Sequence, residues 1–226
     1  PDRMSSTTDI ESRIGQLLAK SSIPGRVQAV TSCAASGNNR TYRVVTTNGL
    51  LAAKQYFRHA GDHRDRLGTE FSFLTHAAQL APGLTPAPLA IDHESGLALY
   101  EFLEGTPLHA QDVTLERVQS AASFFLALNS ETSRAQAKDL PDASEACFSI
   151  TQQRDMVRNR LSSLKTQVIA TEENSQALDL ILSISSYWQL LSSKVLSAAL
   201  GAGIDPDAML PQDQRCLSPS DFGFHN

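Results

Sequence analysis

The chain has 226 residues, 41% of them apolar and 19% charged, a balance that fits a folded globular protein and excludes disorder. Its formal net charge of −5 gives no global attraction for nucleic acid or an anionic membrane, and no run reaches the roughly 18 apolar residues of a membrane span. The three cysteines, Cys33, Cys147 and Cys216, form no Cys-x-x-Cys pair or zinc-type cluster; with no secretory signal at the N-terminus they read as free thiols of a cytoplasmic protein.

A first strand is expected over Val27 to Ser32, followed by the small-residue turn Ser36-Gly37-Asn38-Asn39. Such a turn either closes a hairpin or presents backbone N–H groups to phosphate. Thr41 to Thr47 is rich in β-branched and aromatic residues, and Asn48-Gly49 then signals a tight hairpin, because both turn positions favour positive φ. In the returning strand, Leu50 to Phe57, alternation puts Leu51, Ala53, Gln55 and Phe57 on one face and Ala52, Lys54 and Tyr56 on the other. Lys54 is thus a lone cation among apolar neighbours, which must reach solvent or meet an anion.

A helix is expected over about Asp62 to Leu80, with Leu67, Phe71, Leu74 and Ala78 on its core face and Glu70 at the margin of that stripe. Pro88 to Asp92 and Leu97 to Leu103 read as a second hairpin across His93-Glu94-Ser95-Gly96, and Glu104-Gly105-Thr106-Pro107 as a linker. Beyond it the periodicity is helical. One helix starts near Thr114 with Val118, Ala121, Ala122, Phe125 and Leu128 on one face. A second carries Val157, Leu161, Leu164 and Val168. A third spans about Ser175 to Leu200 with Ala177, Ile181, Ile184, Trp188, Leu191 and Val195 in register. The expected class is α+β: a small β-rich N-terminal lobe with one helix (1–103) and a mostly helical C-terminal lobe (104–226).

The chain closes on Ser218-Pro219-Ser220-Asp221-Phe222-Gly223-Phe224-His225-Asn226. The spacing of Asp221 and Asn226 suits phosphoryl transfer, which uses a carboxylate to position or deprotonate the attacking hydroxyl and an amide oxygen to hold Mg²⁺. A Gly-containing turn, a strand lysine, a helix glutamate, a second hairpin, a connector, helices and then Asp-x-x-x-x-Asn follow the order of parts in a protein-kinase-like fold.

The sequence from about Ile23 to Asn226 resembles the aminoglycoside phosphotransferase and choline kinase-like family. The resemblance is carried by Gly37-Asn38-Asn39-Arg40-Thr41-Tyr42, Leu51-Ala52-Ala53-Lys54, Arg66-Leu67 followed by Glu70, Leu97 to Gly105, and the terminal segment. It implies a two-lobed kinase-like fold and an ATP- or GTP-dependent, Mg²⁺-requiring kinase of a small hydroxyl compound. By this resemblance Asp221 is the catalytic base and Asn226 a metal ligand. Lys54 is the phosphate-binding lysine, Glu70 its partner, and Gly37, Asn38 and Asn39 the nucleotide-facing turn. The segment holding Glu101 and Leu103 is the hinge that receives the adenine. Two features depart from the family pattern. Pro219 stands where the family usually has histidine, and no aspartate follows Asn226 to serve as the second metal ligand. The helical lobe is therefore expected to be incomplete and this piece alone inactive. A non-catalytic kinase-like binding or scaffold module is the competing expectation, and a helical interaction protein with an unrelated β-rich head a third. The acceptor and the oligomeric state are left open.

Overall fold

The computed structural model describes residues 7–35, 38–57, 64–106, 108–143, 145–170 and 175–219. The chain divides into two compact units, residues 1–143 with 216–226, and residues 144–215. None of the helices, among the described residues, is long and apolar enough to cross a membrane.

The first unit is built on a five-stranded antiparallel sheet. Its strands are β1 (Val27–Ala35), β2 (Asn39–Thr46), β3 (Gly49–Tyr56), β4 (Pro88–Asp92) and β5 (Leu97–Glu101), in the order β1-β2-β3-β5-β4. Helix α1 (Thr7–Lys20) lies on one face and α2 (Arg66–Leu80) on the other. The expected elements contain no counterpart of α1. Yet Ile10, Ile14, Leu17 and Leu18 recur at helical spacing, and all four are buried against Tyr42, Val44, Ala53, Leu97 and Leu99. The opposite face packs Ala52, Tyr56, Ala98 and Tyr100 against Leu67, Phe71 and Leu74 of α2. The alternation expected for β3 therefore holds. Strand β5 is buried on both faces because each carries a helix, so Leu97-Ala98-Leu99-Tyr100 is an unbroken apolar run.

Helix α2 begins at Arg66, not Asp62, because the Asp65 carboxylate caps it, accepting from Gly68 N at 2.9 Å. The β4–β5 turn is tied down by Asp92, which accepts from Ser95 Oγ at 2.6 Å and Glu94 N at 3.2 Å; Arg13 of α1 donates to the Ser95 carbonyl. After β5 the chain runs through the connector into α3 (Leu115–Leu128), capped by Thr114, and α4 (Glu131–Gln136). Phe124 and Leu128 of α3 pack on Ala77 of α2 and on Ala81, which caps that helix, whereas Val118, expected on the same face, is exposed.

The second unit is the hairpin of α5 (Ile150–Ala170) and α6 (Ser175–Gly201) with its flanking segments. The apolar register expected for α6 is divided between two faces. Ile181, Ser192 and Ala199 form the buried edge, while Ile184, Leu191 and Val195 are exposed. Ser192 faces inward because its hydroxyl accepts from Arg154 Nε of α5 at 2.6 Å, a polar contact that hydropathy alone does not mark.

Candidate functional site

Strand β3 sets Lys54 opposite two small residues, Thr41 of β2 and Ala98 of β5. Glu70 sits one turn into α2, which crosses the same face. The two meet: Lys54 Nζ lies 2.8 Å from each carboxylate oxygen of Glu70. The side chains remain 22% and 35% exposed, so the pair is shielded from bulk water on one side and open to it on the other. A lysine ammonium has three N–H donors. The carboxylate takes two, and the third belongs to a cation already held in place, an arrangement suited to binding an anion such as a phosphate.

Beneath the pair lie two tyrosines. Tyr56 follows Lys54 by two residues on the same strand face, and its ring centroid is 5.2 Å from Lys54 Nζ. Its hydroxyl is 3.0 Å from that of Tyr100, and both residues are buried. Burial above all, with the negative Glu70 nearby, pushes the Tyr56 phenol far above its ordinary pKa. Burial likewise raises Tyr100. Both phenols therefore act as neutral hydrogen-bonding groups at any working pH. Phe71 of α2 packs against the Tyr100 ring at 6.1 Å, tying the aromatic layer to the helix that carries Glu70.

The other expected site residues fall as follows. Asn39 opens β2 opposite Tyr56, and the Asn38 carbonyl accepts from Phe57 N at 2.9 Å, which closes the β2–β3 ribbon beside the turn. Glu101 ends β5 opposite Leu51; its N–H donates to the Ala87 carbonyl at 2.8 Å and its carboxylate accepts from Ala87 N at 3.3 Å. Leu103 lies in the connector and is 46% exposed. Gly37, Asp221 and Asn226 lie outside the described residues. Among the described residues no cluster of three or more His, Cys, Asp or Glu suits a metal ion.

Three further groups were not among the site residues expected from the sequence. Tyr56 was legible from its spacing to Lys54; Tyr100 was not, because its partnership needs β5 beside β3. The third is His76, buried on α2. Ser133 Oγ gives its one proton to the Leu128 carbonyl, so at 3.0 Å it accepts from His76 Nε2, which therefore carries a proton. Burial lowers the His76 pKa, because it disfavours the charged ring.

Within the second unit, a cavity of about 560 Å³ is lined by Phe148, Ile150, Arg154, Trp188 and Met209 among others. The Arg215 guanidinium stacks 3.9 Å from the Phe148 ring centroid and braces its wall.

A family model described as the phosphotransferase enzyme family matches residues 30–191. Comparison with curated proteins yields no match. Among solved structures, the chain is similar to a macrolide 2′-phosphotransferase of Brachybacterium faecium, with 18% identity, a TM-score of 0.41, and coverage of 69% of this chain and 54% of that one. It is similar to a spectinomycin phosphotransferase solved with ADP and spectinomycin, with 12% identity, a TM-score of 0.34, and coverage of 72% and 56%. It is also similar to a Thermobifida fusca protein assigned as a fructosamine-3-kinase, with 20% identity, a TM-score of 0.39, and coverage of 52% and 38%. The chain thus spans between 38% and 56% of the length of these proteins.

Proposed function

The chain belongs to the phosphotransferase enzyme family, and from that premise we propose that it supplies the nucleotide site of a small-molecule kinase, which transfers the γ-phosphoryl of ATP or GTP to a hydroxyl group. The observation that carries this reading is the bidentate Lys54–Glu70 pair, a cation oriented by a carboxylate and left with one donor and an open side. In this reading Lys54 binds the α/β-phosphates, and Glu70 holds its ammonium in place and charged. The turn at Gly37, Asn38 and Asn39 covers the phosphates, and the backbone at Glu101 and Leu103 receives the base. The functional division falls at the connector, with residues 1–103 as the nucleotide-binding lobe and 104–226 as part of the substrate lobe.

Asp221 and Asn226 offer a carboxylate and an amide oxygen, hard donors of the kind Mg²⁺ takes. When bound, the ion would neutralise charge on the phosphates. Asp221 would orient the acceptor hydroxyl and accept its proton, and Asn226 would hold the metal. Such catalysis is positioning and charge neutralisation around a loose transition state. We place the protein in the cytoplasm, where the nucleotide is supplied.

The test is Asp221→Ala in the complete gene product. Nucleoside diphosphate release with an acceptor should be lost while nucleotide binding persists; unchanged turnover would sink the assignment of Asp221. A second reading, a non-catalytic kinase-like binding or scaffold module, draws on Pro219 standing where the family usually has histidine. It requires that no acceptor elicits Mg²⁺-dependent release of ADP or GDP.

A further inference from the structure

We propose that the cavity of the second unit binds a small aromatic carboxylate, with Arg154 as the group that recognises its charge. The inference goes beyond the nucleotide reading and uses none of its residues.

The cavity holds about 560 Å³, within the range that takes a small organic ligand. Phe148, Ile150, Trp188, Val195, Ile204 and Met209 line it, so its wall is mostly apolar and carries two aromatic rings. Three pieces of chain enclose it: the start of α5, the middle of α6, and the segment 204–211 that follows α6. Gly203, at φ +70, turns the chain back after α6, and Ile204 N donates to the Ala199 carbonyl at 2.8 Å. Two backbone bonds then fasten the returning segment to the start of α5. Thr151 N donates to the Pro206 carbonyl at 3.0 Å, and Leu210 N to the Phe148 carbonyl at 2.6 Å. Arg215 is occupied by the wall itself, stacked on the Phe148 ring and donating from Nε to the Leu210 carbonyl at 3.0 Å. The walls are thus joined by the protein's own bonds, and the cavity needs no ligand to shape it.

Arg154 is the cation in this lining. It is half-buried on α5, and its Nε donates to Ser192 Oγ of α6 at 2.6 Å. Ser192 is buried between the helices, so this bond fixes the plane of the guanidinium. The N–H groups on Nη1 and Nη2 meet no acceptor among the described residues, and Arg154 forms no ion pair there. A half-buried charge without a counterion is unfavourable until a partner supplies one. An oxyanion gripped by the two Nη groups is the partner that matches a held guanidinium fork. One guanidinium carries one positive charge, so a carboxylate neutralises it, whereas a phosphate dianion would leave excess charge beside apolar walls. The carboxylate of Asp205, exposed at the cavity and accepting from Asp207 N at 3.0 Å, adds to the bias against a second negative charge.

The test is ligand-observed NMR on the chain with naphthylacetate, naphthylacetamide and naphthylethylamine, which share an aromatic body and differ in charge. The unsubstituted chain should bind the acid about tenfold tighter than the amide or better, the scale of hydrogen bonds to a charged group, and the amine most weakly. Arg154→Met should bring the acid down to the level of the amide and leave the amide unmoved. Ser192→Ala keeps the charge but frees the guanidinium, so the acid should weaken about threefold while the amide holds. Trp188→Ala should weaken acid and amide alike. Tm is measured for every variant, and Arg154→Gln takes the place of Arg154→Met if the latter fails to fold. The proposal is overturned if the unsubstituted chain does not bind the acid, or binds acid and amide equally. It is overturned as well if the amine binds best, since Asp205 would then be the group that selects. A folded Arg154 variant that keeps the preference for the acid would place the ligand elsewhere on the chain and overturn it too.

Discussion

Lys54 and Glu70 are sixteen residues apart in the chain, yet Lys54 Nζ is 2.8 Å from both oxygens of the Glu70 carboxylate. The strand and the helix that carry them share an aromatic layer, so the pair is a product of packing as much as of charge. Its partial exposure limits what it adds to stability to about 1 kcal/mol or less. Its importance should show in ligand binding instead. Lys54→Met is expected to weaken ADP binding about tenfold to a hundredfold, the range of a charge-assisted hydrogen bond. The charge swap Lys54→Glu with Glu70→Lys should return Tm close to that of the parent but not ADP affinity, because a carboxylate would then stand on the strand where the phosphates meet the ammonium. Calorimetry and thermal melts on the same preparations check both halves.

The backbone beneath the pair depends on one turn. Gly96 has φ +67, its carbonyl accepts from Tyr56 N at 2.8 Å, and a Cβ added there would meet the Tyr56 carbonyl at 2.9 Å. Gly96→Ala combines the left-handed penalty of about 1–2 kcal/mol with that collision. A fall in Tm of about 2–8 °C should follow, with weaker ADP binding as Tyr56 is displaced. Gly15, inside α1, is the control, since a Cβ added there would meet nothing within 4 Å. There alanine should stabilise the chain by about 0.5–1 kcal/mol through helix propensity.

His76 gives the first unit a pH dependence. Its pKa is lowered in the folded chain because burial disfavours the charged ring. Below the unfolded value of about 6.5 the unfolded chain takes up a proton that the native chain refuses, so stability falls as pH falls until the folded pKa is reached. Melts between pH 8 and pH 5 should show a shallower loss in His76→Gln, which cannot titrate, than in the parent. A parallel slope in the two proteins would exclude His76 as the cause.

Helix α1 should be indispensable to the sheet. Ile14 is fully buried among Leu17, Leu18, Val44 and Leu99. Ile14→Ala removes three carbons from a close-packed layer and should lower stability by about 2–5 kcal/mol. Chemical denaturation would read this as a lower midpoint with an unchanged slope.

Much of the site is readable along the chain. The period of two in β3 puts Ala52, Lys54 and Tyr56 on one face, and the period of the α2 stripe leaves Glu70 at its margin. The hairpin is where it was expected, but its turn is Thr47-Asn48, one residue earlier than Asn48-Gly49: Gly49 pairs with Thr46 as the first residue of β3 and takes the positive φ, +128, by itself. Those features are local, set by backbone geometry over a few residues. The same local reading fails on α6, where Ile184, Leu191 and Val195 share the helical register with Ile181 but stay exposed. Which apolar stripe is covered depends on the partner surface, and there Arg154 selects Ser192 over a neighbouring leucine.

By itself the sequence determined the alternation of the strands, the presence of the two hairpins, the α+β order and the residue types that make a phosphate site conceivable, because each follows from propensity and periodicity within one element. Only the tertiary structure decided that β5 lies between β3 and β4, that Tyr100 therefore meets Tyr56, and that α2 crosses at the height where Glu70 closes on Lys54. Those contacts join segments separated by loops, and burial of the two apolar sheet faces, rather than any local preference, selects which segments meet.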